Sequence, residues 1–271
     1  MLKTENDTDV KLVRVSVILL VVFLLPITSW FWNWAFKLNL LDFITKSSKY
    51  LISNTLIANL LNICFYGVLI FHIGKASIAS VGINRTKTIN ALLVSILSWV
   101  VTLLIFIVFS FINEIAIEIN PSVRQEVKLA IGQLFGNALF EEIIFRGFLF
   151  SQILIRLKNK YNRINSFIFA SVISSFVFSV IHIPNRMFIH EVTNLLADCV
   201  MTFLFGIIFC AIFYWRKNLL YVVVIHSFLN YALFVINTND IPINLLFVLL
   251  YIGFILIESI FDLKYERKRF N

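Results

Sequence analysis

Long apolar blocks govern what this chain can become. A helix that crosses a bilayer needs roughly 20 consecutive apolar residues. Window hydropathy finds about eight blocks near that length, at 15–36, 51–72, 91–113, 129–152, 166–183, 195–215, 219–236 and 243–261. Lipid offers no hydrogen-bond partners to the backbone, so blocks of this kind are predicted to be helices. The expected fold is all-α, a polytopic membrane helical bundle with about eight transmembrane helices. The connectors are too short to hold a soluble domain, so residues 1–271 read as a single integral membrane domain. A six-span alternative would lay the weaker first blocks flat on the membrane surface.

Composition agrees. Only 14% of the chain is charged, against about a quarter for soluble domains. The net charge of +8 does not point to nucleic acid, because Lys and Arg lie between apolar blocks instead of forming a stripe with interleaved aromatics. They follow the positive-inside rule. With the N-terminus in the cytoplasm, sixteen basic residues fall in cytoplasmic segments, among them Arg85, Lys87, Arg156, Lys158, Lys160, Arg163, Arg216 and Lys217. Six fall outside: Lys37, Lys46, Lys49, Arg124, Lys128 and Arg186. A multi-pass protein with both termini cytoplasmic is expected, although Lys37, Lys46 and Lys49 argue against it. Cys64, Cys199 and Cys210 lie in apolar stretches without CxxC spacing and are expected to be small buried hydrophobes. The first block is long enough to span and no small-residue cleavage site follows it, so no cleaved signal peptide is expected.

Ionisable side chains are costly in hydrocarbon, and each one inside a span is a functional candidate. Here they are Glu141, Glu142, Arg146, His182, Asp198, His226 and Glu258, with Asn230 as the notable amide. His72, at a span end, and His190, in a connector, are expected to be solvated. Glu142 and Arg146 stand four apart, acid first, on one helix face, the better order for pairing. Glu141 points about 100° away, free of that arginine and suited to taking a proton from water. The alternative is an Arg–Glu cluster that only locks helices together. Gly132 and Gly136 form a small-xxx-small pair, read as a close helix contact. Phe178 and His182 share a face, after which Pro184 is expected to end the helix. A lone histidine there is more often interfacial than catalytic. His226 and Asn230 share a face in the seventh block, where a helix-to-helix hydrogen bond competes with a catalytic role. Taken together, a free carboxylate, two histidines and an amide could converge within a bundle to activate water and hold an oxyanion. No serine is set beside a base, which disfavours acyl-enzyme chemistry. Asp198 has no basic partner within sequence reach and could line a cavity mouth or cap a helix.

The three segments resemble the signature motifs of the CAAX-protease and bacteriocin-processing (CPBP, or Abi) family, which includes the type II CAAX prenyl endopeptidases. Glu141-Glu142 with Arg146 is similar to its EExxxR, Phe178 with His182 to its FxxxH, and His226 with Asn230 to its HxxxN. Order and spacing also agree, and the resemblance covers a core at roughly 129–236. It implies an intramembrane endopeptidase in which Glu141 and His182 activate water, His226 and Asn230 stabilise the oxyanion, and Glu142, Arg146 and Phe178 support the site. Family members are often labelled metalloproteases. If a divalent metal such as zinc is held, Glu141, His182 and His226 are the candidate ligands. HExxH is absent, however, and asparagine is a poor zinc ligand.

The expected activity is therefore hydrolysis of a peptide bond in a membrane-associated peptide or protein, with the lipid bilayer as surroundings and no nucleic-acid partner. A composition rich in Ile, Asn, Lys and Phe suits an AT-rich bacterium and hence the plasma membrane. Two rivals stand beside it. One is a non-catalytic bacteriocin-immunity or scaffold protein. The other is a transporter that uses the same charges as an ion path, against which no paired halves are visible.

Overall fold

The structure, a computed structural model, describes residues 11–48, 52–83, 85–115, 123–189, 194–231 and 243–270. Helices dominate, and no strand occurs among the described residues. In chain order they are α1 (Val15–Lys37), the short α2 (Asp42–Ser47), α3 (Asn54–Gly67, continued by a wider turn over Val68–Ile73), α4 (Arg85–Ile112), α5 (123–158), α6 (Arg163–Ile189), α7 (Leu195–Arg216), α8 (Leu220–Asn230) and α9 (Ile243–Phe270). His190 lies outside the described residues, and His72 is exposed as expected.

Helices stand at all eight expected positions. Among the described residues, six helices are long and apolar enough to cross a membrane: α1, α3 with its continuation, α4, α6, α7 and α9. These six turn large apolar side chains outward, as Leu92, Leu93, Ile96 and Leu97 do on α4. Such a surface suits lipid and not water. The other two, α5 and α8, form the interior. From Ile144 to Phe150 every α5 side chain is buried, and so is every α8 side chain from Tyr221 to Ser227. A helix enclosed on all sides can carry charge if the charge finds partners. The charged motif lies on α5 for that reason.

The backbone of α5 is helical throughout, but its hydrogen bonding widens twice, over Gly132–Ala138 and Ile143–Phe150. Turns of this wide type concentrate at functional sites. Here they flank Glu141 and Glu142, which sit in the regular turn Leu139–Glu142. Two carbonyls of the second wide turn take serine hydroxyls: Ser174 donates to Phe145 at 2.8 Å and Ser151 to Arg146 at 3.1 Å. Upstream, a Cβ on Gly132 would stand 2.6 Å from Ser53 Oγ, and one on Gly136 would stand 3.2 Å from Leu56 Cα. Glycine at these positions lets α3 lie directly on α5, the close packing that their spacing suggests.

Cross-links between helices sort the bundle into two ends. At one, Gln152 holds the segment before α1, donating to the Lys11 carbonyl and accepting from Val13 N–H at 2.9–3.0 Å. At the same end, Asn218 donates to Thr88 at 3.1 Å, and Leu219 N–H donates to the Gly82 carbonyl at 3.0 Å. There too the buried Tyr221 hydroxyl donates to Glu258 at 2.7 Å and accepts from Arg216 at 3.1 Å. Glu258, a lone charge in the sequence, thus pairs with Arg216 at 2.8 Å and pins the start of α8. At the opposite end, Tyr231 donates to Glu126, and Arg186 meets Asp198.

Three expectations need correction. α6 does not stop at Pro184 but runs on to Ile189. Proline removes one backbone donor, a loss that membrane helices absorb where neighbours re-satisfy the freed carbonyl. Asp198 does have a basic partner, Arg186, at 2.7 Å; the extended α6 carries that arginine across to α7. Of the cysteines, all free, only Cys210 is buried, while Cys64 is exposed and Cys199 intermediate. An apolar stretch in a membrane bundle covers lipid-facing positions as well as interior ones.

Replacing Gly136 with leucine should force α3 off α5 and destabilise the protein by about 1–3 kcal/mol, the usual cost of overpacking. Thermal unfolding in detergent would measure it. An unchanged melting temperature would show that the contact does not hold the two helices together.

Candidate active site

Glu142 is the fixed point of the site. Its side chain is fully buried, and one oxygen, Oε1, accepts from Arg146 Nη1 at 3.0 Å and from His226 Nδ1 at 2.6 Å. The first bond is the one-turn pairing expected within α5. The second joins α5 to α8, which no spacing within either helix could reveal. Arg146 is also fully buried. Its guanidinium lies among aromatic faces, 4.2 Å from the centroid of Phe178, 5.0 Å from Phe209 and 5.9 Å from Phe145. The electron-rich rings supply what further acceptors would otherwise have to give.

Glu141 faces the other way, as the one-residue rotation requires. Its Oε1 lies 3.6 Å from His182 Nε2, and its Oε2 lies 3.5 Å from His226 Nε2. The remaining ring nitrogens fix which atoms point inward. His182 Nδ1 donates to the Phe178 carbonyl one turn back at 2.6 Å, and His226 Nδ1 donates to the Glu142 carboxylate. With both Nδ1 positions committed, each Nε2 turns toward Glu141, the arrangement that sets a histidine's tautomer through its second hydrogen bond. Phe178 buttresses this geometry, packing edge-on against His182 at 4.6 Å and Phe145 at 4.9 Å.

Charge accounting constrains the cluster further. Two carboxylates and one guanidinium leave one net negative charge, and an uncompensated charge in this setting is expensive. One additional proton shared among Glu141, His182 and His226 makes the cluster neutral.

The structure brings Glu141, His182 and His226 together and places Glu142, Arg146 and Phe178 behind them. Asn230 sits apart: it ends α8, is exposed, and its amide donates to Gln133 Oε1 at 3.4 Å. Gln133, on the first wide turn of α5, was not singled out from the sequence, and neither was Phe209. Counting amides as well as ionisable groups inside apolar blocks would have found Gln133. Nothing in the sequence marks Phe209 among 29 phenylalanines.

A zinc ion would need its ligand atoms about 2.0–2.3 Å from a common centre. Among the described residues no three of His, Cys, Asp and Glu are disposed to hold a metal ion, and Glu141 gives a different oxygen to each imidazole. The candidate ligands do not fit a resident metal in this arrangement, and no chemical step is derived through one.

Removing Arg146 would strand Glu142. Arg146→Met should lower folded stability by about 3–5 kcal/mol, the penalty for breaking a buried pair from one side. The folded fraction recovered in detergent and its melting temperature would report it. A normal melting temperature would mean that His226 alone suffices to hold Glu142.

Residues 124–232 match the family model described as "Type II CAAX prenyl endopeptidase Rce1-like". Neither the curated proteins nor the solved structures contain a significant match to the chain. The matched stretch begins at the start of α5, ends just past α8, and contains every residue of the cluster described above. Residues 124–232 of this membrane protein are therefore similar to the CAAX-protease (CPBP) family in the family model as well as in the three motifs.

Proposed function

We propose that this chain is an intramembrane endopeptidase in which Glu141 takes a proton from water that attacks a peptide carbonyl. The observation that carries the reading is the placement of the Glu141 carboxylate between two imidazole Nε2 atoms, at 3.5 and 3.6 Å. With the cluster's shared proton on the His226 ring, Glu141 and His182 Nε2 are the acceptors that face this space. The species that complements two acceptors around one space is a donor with two O–H groups, which is water.

In the proposed sequence, water bound by Glu141 and His182 loses a proton to Glu141 as its oxygen bonds to the carbonyl carbon. Negative charge develops on the carbonyl oxygen. His226, protonated at Nε2 by the extra proton that keeps the cluster neutral, and the Asn230 amide donate to that oxygen. The C–N bond then breaks, and the proton on Glu141 passes to the departing amine. One water proton ends on the new amine and the other on the new carboxyl group, and the site returns to its starting state. Glu142 and Arg146 keep the His226 ring oriented throughout; they do not exchange protons with substrate. The substrate is a peptide or a membrane-protein segment that reaches the bundle interior.

Immunity by binding alone is the weaker reading, because a scaffold has no use for a carboxylate aimed at two imidazoles. Glu141→Gln keeps the size and polarity of the side chain while removing the base. It should slow peptide-bond cleavage by about 10²–10⁴-fold, the usual contribution of a general base, with an unchanged amount of folded, inserted protein. Mass spectrometry of membrane and secreted peptides from cells carrying either form would show it, as a product made only by the wild type. Equal product from both forms would remove Glu141 from the reaction.

A further inference from the structure

The two ends of the bundle differ in a way that assigns the direction from which substrate arrives. Exposure rises in one direction away from the fixed point of the site. Side-chain exposure is 0% at Glu142, 6% at His226, 13% at Glu141 and 20% at His182. Gln133 is half-buried and Asn230 is exposed, both farther along the same direction. On the other side of Glu142 the path is shut. Phe145, Phe148, Leu149 and Phe150 are each exposed by 3% or less, and beyond them Gln152 clasps the segment before α1.

Charge separates the same two ends. The connectors at the closed end, residues 75–87, 156–163 and 216–218, hold nine basic residues and no acidic one. At the open end, the described residues 113–115, 123–128, 184–189, 194–198 and 231 hold three basic residues, Arg124, Lys128 and Arg186, and three acidic ones, Glu114, Glu126 and Asp198. The hydrogen bonds from Asn218 to Thr88 and from Leu219 to Gly82 place two of the basic connectors side by side, so the asymmetry belongs to the folded bundle and not only to the alternation of the sequence. Basic connectors stay on the cytoplasmic side. The connector before α3, with Lys46 and Lys49, is the exception. Its three lysines, counting Lys37, do not offset the nine.

We infer that, among the described residues, the hydrolytic site opens toward the α6–α7 end of the bundle and not toward the Gln152 end, and that the α6–α7 end faces away from the cytoplasm. Its substrates are then peptide segments presented at the non-cytoplasmic face of the membrane. The amides of Gln133 and Asn230 at the mouth suit the donors and acceptors of an extended peptide backbone. The inference rests on the hydrolytic reading for the identity of the substrate, but not for the direction of access.

The test uses the full-length chain in bacterial membranes, with Cys64, Cys199 and Cys210 replaced and single cysteines placed at Gln125, Gln133 or Lys160. Gln125→Cys should react with a membrane-impermeant maleimide on intact spheroplasts, and Lys160→Cys only after permeabilisation. The opposite pattern overturns the orientation. Gln133→Cys should react from outside with a small impermeant methanethiosulfonate, and failure to do so overturns the open mouth. If the cysteine-free chain does not insert, a fluorescent protein fused to the C-terminus of the native sequence reads the orientation instead. Fluorescence is expected, and a dark but exported fusion overturns the orientation. In a second arm, an impermeant mixture of peptides is added to right-side-out or inside-out vesicles carrying wild type or Glu141→Gln. Glu141-dependent cleavage should appear in right-side-out vesicles alone. Cleavage confined to inside-out vesicles overturns the direction of access. Absence of Glu141-dependent cleavage in both overturns the hydrolytic reading, and the labelling still decides the orientation.

Discussion

A carboxylate with no access to solvent needs partners already in place, and in this protein the whole interior is arranged around one. Glu142 shares a single oxygen between Arg146 on its own helix and His226 on α8. Either partner alone would leave charge or geometry unresolved. Arginine without histidine would neutralise the carboxylate but remove the bond that ties it to α8. Histidine without arginine would have to carry the full compensating charge itself. Because the two bonds converge on one atom, α5 and α8 cannot shift along each other without breaking one of them. The six lipid-facing helices then serve as a wall that keeps this cluster dry and its interactions strong.

From that fixed point the division between adjacent carboxylates follows. A single residue of helix turns Glu141 out of reach of Arg146 and toward α6, where His182 approaches. The two glutamates are therefore chemically distinct although they are neighbours in sequence. One takes two donors on a single oxygen, while the other faces the Nε2 atoms of two rings whose Nδ1 atoms are engaged elsewhere. The wide turns on either side of Leu139–Glu142 fit this arrangement, since they enclose the one regular turn from which both carboxylates project.

Much of this was legible in the sequence, and the boundary of legibility has a physical origin. Lipid demands about 20 apolar residues per crossing, so the helices could be placed from composition alone, and the Glu142–Arg146 pair followed from helical spacing. Periodicity speaks only of what shares a face within one helix; it is silent on which helix that face meets. For that reason the spacing sets His226 and Asn230 on one face of α8 and allows a bond to another helix without naming it, while the structure gives His226 Nδ1 to Glu142 and the Asn230 amide to Gln133. The same silence left Asp198 apparently alone until α6 was found to continue past Pro184 and deliver Arg186. It also left Cys64 assigned to an interior it does not occupy.

Glu258 shows how a charge outside the motif segments can still bear on the site. It accepts the Tyr221 hydroxyl and pairs with Arg216, and the Arg216 guanidinium also lies over the Tyr221 ring at 4.8 Å. Tyr221 stands five residues before His226 on a helix only eleven residues long. The histidine is therefore held from two directions, by Glu142 at its own ring and by the α7–α9 anchor little more than one turn away. A helix this short gains little stability from its own hydrogen bonds, so its position has to come from contacts of this kind. Asn230 lies beyond both anchors, at the exposed end where α8 stops. The helix is thus most constrained where it aims a ring at Glu141 and least constrained where a substrate would first meet it.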